Sequence, residues 1–460
     1  MQLTFAGAAR EVTGSCHIVR INDKHVLLDC GLFQGHRREA QQKNQRLPID
    51  VSRIDAVVLS HAHIDHAGRL PLLVREGFRG TIWCTAATRD LAVVMLADSA
   101  HIHERDAEFL ARHGKEVVPP LYSVADAART GDLMAGVPYR KGVDVLDGVR
   151  ATFVEAGHIL GSASVILDYE ENGRQHRLIF SGDVGRNGLP IIRDPEPPEG
   201  ADIVIMESTY GDRDHAPYES AREHLGRIVS ETAARGGRIL IPAFAVGRAQ
   251  EIVHDLHSLS RAGEIPAIPI YIDSPLAIEA TTVFEAHPEV FDRSESFLQQ
   301  VQELFRFQHA HYTREAAESK ALNSAVGPMV IIAPSGMAEA GRIVHHLKHG
   351  APNPRNTILI VGFQAEHTLG RRIVERCPTI KIHGEDIPLR ARVEVLNAYS
   401  AHAGRAELIR WLAAVRATSP RLRHVYLVHG EPKPQDMLAA TLRASGYTVS
   451  CPEPFTQVTV

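Results

Sequence analysis

Through the first 210 residues, short apolar runs alternate with glycine-containing turns. HVLLD at 25–29, DAVVLS at 55–60, TFVEAG at 152–157, LIFSGD at 178–183 and DIVIME at 202–207 each hold four to six β-prone residues closed by a turn, the pattern of a strand. From about residue 211 the pattern becomes βα. A helical stretch at 220–237 precedes the strand RILIPAF at 238–244, a helix over 248–263 and the strand IPIYIDSP at 268–275. The same order recurs with MVIIAPSG at 329–336, a helix from AEAGRIVHHLKHG at 338–350, and NTILIVGFQ at 356–364. Such alternation predicts a mostly parallel sheet covered by helices. After about 390 the strand-rich pattern of the first 210 residues returns in RVEVL at 392–396, a helix at 404–417 and the strand HVYLVHG at 424–430. The chain therefore reads as an α/β protein in which residues 211–390 are inserted between 1–210 and 391–460.

A chain of 460 residues is long enough for two hydrophobic cores, and its 44% hydrophobic and 23% charged residues are those of an ordinary globular protein. The N-terminus lacks a basic start followed by a long apolar core, and no apolar run of about 18 residues occurs, so a cytoplasmic protein that does not meet a membrane is expected. Five cysteines without a CxxC pair fit reduced thiols rather than a disulfide framework. A formal net charge of −5 excludes binding to nucleic acid through bulk electrostatics, so any such groove must be local. The composition departs from expectation in its 26 histidines.

Six of the chain's positions in a row explain part of the excess. His61-Ala62-His63-Ile64-Asp65-His66 follows the strand at 55–60 and puts three imidazoles and a carboxylate on one short loop. Zinc favours these donors, and one loop so equipped can serve two adjacent metals. His158, Asp183 and His429 each stand just beyond a strand, where loops from distant parts of a chain converge. Asp29 ends a further strand. Two metals about 3.5–4 Å apart can share a hydroxide at neutral pH and stabilise both the attacking and the leaving oxygen, which suits phosphodiester hydrolysis. A departing ribose oxygen needs a proton, which an imidazole beside a carboxylate can deliver; His402 and Glu207 are the candidates.

Together HAHIDH, His158, Asp183 and Asp29 resemble the metal motifs of the metallo-β-lactamase superfamily. The resemblance implies an αββα sandwich. On this sequence it implies that His61, His63 and His158 hold one zinc, that Asp65, His66 and His429 hold a second, and that Asp183 bridges both while Asp29 orients ligands. Glu207 in MESTYG, His402 in YSAHAG and His429 in LVHGE are similar to the motifs of the β-CASP subgroup, whose members process nucleic acids. Histidine at the last position resembles the RNA-directed branch rather than the DNA-directed branch related to Artemis. Asp65, His402 and Glu207 are thus the expected catalytic residues. The inserted domain would be the β-CASP domain, and Ser335, Gly336, Arg248, Arg342 and Arg371, which lie in segments similar to its substrate channel, would contact phosphates. This chain departs from the family at Glu366-His367 and at Ala340-Gly341, where the family shows a small residue and a glycine pair. The resemblance is closest to the stand-alone bacterial and archaeal relatives of the endonuclease subunit of the cleavage and polyadenylation machinery. It implies a ribonuclease with two zinc ions that acts on single-stranded RNA and leaves 5′-phosphate and 3′-hydroxyl ends; a homodimer is compatible with it. Two other classes stay open on the residues: a hydrolase of a small ester or thioester, and a non-catalytic RNA-binding subunit.

Overall fold

A computed structural model describes residues 1–35, 37–112, 114, 118–291 and 309–460. It comprises two compact units, Met1–Asp214 with His402–Val460, and His215–Ala401. No described helix is long and apolar enough to cross a membrane.

Two seven-stranded sheets form the first unit. One runs in the order Gln457–Thr459, Gln2–Gly7, Cys16–Ile21, Lys24–Leu28, Ala56–Val58, Thr81–Thr85, Met134–Val137. The other runs Val449–Ser450, His424–Val428, Ile203–Glu207, Arg174–Phe180, Ala163–Glu171, Val149–Glu155, Val143–Leu146. Leu3, Phe5, Val19 and Leu28 of the first sheet meet Phe153, Val165, Phe180, Ile205 and Val428 of the second in one buried core. The outer face of the second sheet packs on the helices Arg405–Ala417 and Pro432–Ala444 through Trp411, Leu412, Leu438 and Leu442. Residues Ile203 to Met206 show why these strands read as unbroken apolar runs. Ile203 and Ile205 face the inner core while Val204 and Met206 face the helices, so neither side of the pleat meets water. The result is the αββα sandwich expected from the resemblance.

The second unit holds a six-stranded parallel sheet in the order Ala310–Tyr312, Ile270–Ile272, Met329–Ala333, Arg238–Pro242, Thr357–Ile360, Arg392–Val395. Local pattern alone puts RVEVL with the C-terminal segment. Its parallel pairing with Thr357–Ile360 places it in this sheet, and the unit runs on to Ala401. A second correction concerns the helix read from Ala338, which begins at Arg342. Gly341, with φ 81°, caps it in a backbone conformation that residues with a side chain avoid, and residues 335–341 form a loop before it.

Candidate metal centre

Strand direction builds the site. Lys24–Leu28 and Ala56–Val58 are parallel, with Leu28 beside Val58, so Asp29 and the segment from Ser60 leave the first sheet at one edge. In the second sheet Ile205 lies beside Phe180 and Glu207 beside Val428 in parallel register. Val149–Glu155 runs the same way, because it and Arg174–Phe180 are both antiparallel to Ala163–Glu171. The turns that carry His158, Asp183 and His429, and the carboxylate of Glu207, therefore leave that sheet together. HAHIDH is not wholly a loop, since Ile64–Ala67 is one helical turn that carries Asp65 and His66. Gly185 lets the Asp183 and His158 turns touch: a Cβ there would lie 1.7 Å from the Gly157 carbonyl oxygen.

Ligand atoms converge in two sets. His61 Nε2 and His158 Nε2 each stand 3.1 Å from His63 Nδ1, and both are 3.5 Å from Asp183 Oδ2. His66 Nε2 is 3.2 Å from His429 Nε2 and 3.3 Å from the same Asp183 oxygen, while His429 Nε2 is 3.6 Å from Asp65 Oδ2. Four donors about 2.0–2.1 Å from a zinc ion stand roughly 3.3–3.4 Å apart at the corners of a tetrahedron. The observed spacings are close to those edges, and Asp183 Oδ2, a member of the first set, also stands 3.3 Å from His66 Nε2 of the second. Asp183 Oδ1 and His158 Nδ1 are buried without a hydrogen-bond partner among the described residues, and such an orphaned carboxylate oxygen suits a cation nearby. Asp183, His402 and His429 make a further group within ligand reach.

The charges are poised for a cation. Burial favours protonated Asp183, but the imidazoles of His429, His66, His402 and His61 outweigh it and hold the carboxyl well below its ordinary range. Burial drives His61 and His158 well below the usual imidazole value and His63 to about 4, so these three present unprotonated nitrogen at neutral pH. His66 is also buried, yet Asp183 and Asp29 raise it well above its ordinary value.

Asp29 explains part of that difference. Its Oδ2 accepts from Ser15 Oγ and Ser60 Oγ, both at 3.0 Å, and lies 2.7 Å from His66 Nδ1; its Oδ1 accepts the Ser60 N–H at 2.8 Å. A carboxylate can only accept, so His66 Nδ1 keeps a proton toward Asp29, and Nε2 is the nitrogen that can exchange its proton for a cation. The same reasoning reaches His61 through a residue that sequence reasoning missed. Ser60 spends its one hydroxyl proton on Asp29, so His61 Nδ1, 3.1 Å from Ser60 Oγ, must donate and its Nε2 is bare. Its place directly before His61 was the available signal.

His402 sits at the open side of this cluster. Its side chain is 14% exposed, against 0–1% for His61, His66 and His158. Its Nδ1 is 3.1 Å from Glu207 Oε1 and 3.9 Å from Asp183 Oδ2. Burial lowers its proton affinity, but Glu207 and Asp183 outweigh that and raise it above the usual value. Glu207 is itself fixed, since it accepts the Val184 N–H at 2.7 Å and the Thr209 N–H at 3.3 Å.

The residues expected to meet phosphate all lie in the second unit. Ser335 Oγ accepts the amides of Glu339 at 3.2 Å and Ala340 at 3.3 Å, inside its own loop rather than at a helix start. Gln364 donates to the Gly336 carbonyl at 2.9 Å and its own carbonyl accepts from Arg371 at 3.3 Å, so these two loops meet. Arg248 is buried and paired with Glu251, Arg342 bonds Asp273 at 2.6 Å, and Arg371 bonds Glu375 at 2.9 Å. Each guanidinium thus has an internal carboxylate.

Two facing sheets with a His/Asp cluster at the strand ends define a metallo-hydrolase fold. The chain matches the Metallo-beta-lactamase superfamily over residues 9–236, the Beta-Casp domain over 249–373, and the Zn-dependent metallo-hydrolase RNA specificity domain over 386–452. It is 39% identical over 452 residues to Ribonuclease TTHA0252 of Thermus thermophilus, spanning 98% of both chains. It is 32% identical to the Transcription termination factor FttA of Methanosarcina mazei, over 94% of this chain and 67% of that one. The FttA of Pyrococcus abyssi is 33% identical over 98% of this chain and 70% of its own length. A crystal structure of a protein of unknown function from Enterococcus faecalis shares the fold, with a TM-score of 0.52 at 12% identity, covering 100% of this chain and 99% of that one. This chain belongs to the metallo-β-lactamase superfamily and carries β-CASP and RNA-specificity domains.

Proposed function

We propose that this protein is a ribonuclease that binds two zinc ions and hydrolyses phosphodiester bonds of single-stranded RNA. The observation that carries this reading is the pair of ligand sets with Asp183 Oδ2 in one and beside His66 of the other, and the carboxylate-paired His402 next to them. His61, His63 and His158 would hold one ion, Asp65, His66 and His429 the other, and Asp183 both. When bound, such a pair supplies a hydroxide nucleophile near neutral pH and offsets negative charge on the phosphate. His402 acts as the general acid. Glu207 accepts from Nδ1, which leaves Nε2 to give its proton to the departing 3′ oxygen; the carboxylates of Glu207 and Asp183 favour the charged ring. Cleavage of the bond between phosphorus and the 3′ oxygen leaves a 3′-hydroxyl and a 5′-phosphate. The name of the Thermus thermophilus relative and the RNA-specificity match support the choice of RNA.

The test gives zinc-loaded protein single-stranded RNA labelled at either end, with a thioester substrate in parallel. Zinc-dependent RNA cleavage to the stated ends is expected, and the ladder separates internal cuts from stepwise trimming. Thioester turnover with intact RNA would replace this reading with that of a small-molecule hydrolase.

A further inference from the structure

We infer that Thr209 is a positioning residue for His429: its hydroxyl fixes the imidazole tautomer that turns Nε2 toward His66 and Asp65. The inference rests on the ligand role proposed for His429. Thr209 Oγ1 donates to the His429 carbonyl at 3.1 Å and lies 3.0 Å from His429 Nδ1. A hydroxyl has one proton and a carbonyl can only accept, so the second bond forms only when the ring donates through Nδ1. Nε2 is then unprotonated, and it is the nitrogen 3.2 Å from His66 Nε2 and 3.6 Å from Asp65 Oδ2.

The surrounding backbone shows that this contact is built. His429 has φ 49°, a left-handed conformation that a residue with a side chain keeps only where neighbours hold it. Those neighbours are Ala8, whose carbonyl accepts the His429 N–H at 2.7 Å, and the two residues after Glu207. The Ser208 N–H donates to the His429 carbonyl at 3.1 Å and Ser208 Oγ donates to the Val428 carbonyl at 2.7 Å. Gly430 allows this approach, since a Cβ there would lie 2.4 Å from Ser208 Oγ. Thr209 and His429 are both buried, so water does not compete for Nδ1. The rival arrangement is a ring protonated on Nε2 with Nδ1 turned to metal, because Nδ1 also stands 3.6 Å from Asp183 Oδ1. Glu207-Ser208-Thr209 would thus serve two imidazoles: Glu207 holds His402, and Thr209 holds His429.

Nitrogen-15 and proton NMR of the imidazoles tests this without RNA, in metal-free and in zinc-loaded protein, with the His429 signals assigned by their loss in His429→Gln. The Nδ1–H tautomer is expected in both states; an Nε2–H tautomer overturns the inference. Chelator competition is the second measurement. Thr209→Val should weaken binding of one zinc by about 10–100-fold, the usual cost of losing a hydrogen-bond partner of a metal ligand, and Thr209→Ser should restore it. Parent-like affinity in Thr209→Val, or equal weakening in both variants, overturns the hydroxyl's role. Should Thr209→Val fail to fold, the tautomer in the unmodified protein decides alone. If that protein takes up no zinc, the proposed function fails while the tautomer still decides the matter of Thr209.

Discussion

Asp29→Asn is a sharp perturbation, because it removes a charge and one acceptor at nearly constant volume from a fully buried position. With the amide oxygen in the place of Oδ2, it still accepts from Ser15, Ser60 Oγ and His66, while the amide N–H₂ faces the Ser60 N–H where Oδ1 accepted at 2.8 Å. That donor-to-donor conflict leaves a buried amide unsatisfied, at about 1–3 kcal/mol. The three surviving bonds fall from charge-assisted to neutral, roughly 1 kcal/mol each, partly offset because no charge remains buried. A net loss of about 2–4 kcal/mol is expected, read from urea denaturation of the metal-free protein. Zinc affinity should fall about 10–100-fold in chelator competition, since His66 Nδ1 then donates to a neutral amide in place of a carboxylate. A variant within about 0.5 kcal/mol of the parent, the range of an ordinary surface substitution, that also keeps parent-like zinc affinity would refute the reasoning and reduce Asp29 to a space-filling residue.

Asp183→Asn should lose metal content and RNA hydrolysis together, because one oxygen stands in one ligand set and beside His66 of the other; elemental analysis that finds two zinc ions in the variant removes the bridge. His402→Ala should keep both zinc ions and RNA affinity while its rate falls about 10²–10⁴-fold, with Glu207→Gln losing less. That deficit should shrink on RNA with sulfur in place of the 3′ oxygen, which departs without a proton; an unchanged deficit, or zinc loss, recasts His402 as a ligand or a positioning residue. In the second unit, Asp273 is held at about 2 by bonds from His346, Ser319, Thr313 and Arg342 that outweigh its burial. The folded state therefore binds this proton less readily than the unfolded chain. About 2 kcal/mol of stability is present in full above about pH 4 and lost as pH falls toward 2, so parallel denaturation curves for parent and Asp273→Asn across that window would contradict it.

The αββα core was legible because its strands are covered on both faces. Runs such as Ile203 to Met206 carry a continuous apolar signal, and the turns after them carry the chemistry. His158, Asp183 and His429 share that position, and it was their joint occurrence with HAHIDH and the family resemblance that singled them out, without knowledge of which strands are neighbours. Ser60 offered only its place directly before His61, and Thr209 offered no signal. Their roles come from contacts that only the pairing of strands creates, as where Ile203–Glu207 lies parallel to a strand more than 200 residues further on. The strand Arg392–Val395 misled for the same reason, since its partner Thr357–Ile360 is chosen by the sheet and not by local pattern. Arginines beside glycines gave the weakest signal, because sequence does not reveal whether a guanidinium already has a carboxylate, and Arg248, Arg342 and Arg371 all have one.

Charge joins these observations. The chain carries a formal net charge of −5, and its candidate metal centre gathers Asp29, Asp65, Asp183 and Glu207 from the strand ends of both sheets. Such a cluster on its own repels a polyanion. His66 and His402 have their proton affinity raised there, while burial holds His61, His63 and His158 neutral, so these imidazoles offset the carboxylates in part. The two divalent cations proposed above would add four positive charges at one point, enough to change the sign of the local field where a phosphate would sit. A protein without bulk basic charge would then hold RNA at the bond to be cut, because attraction and catalysis would arise from the same ions.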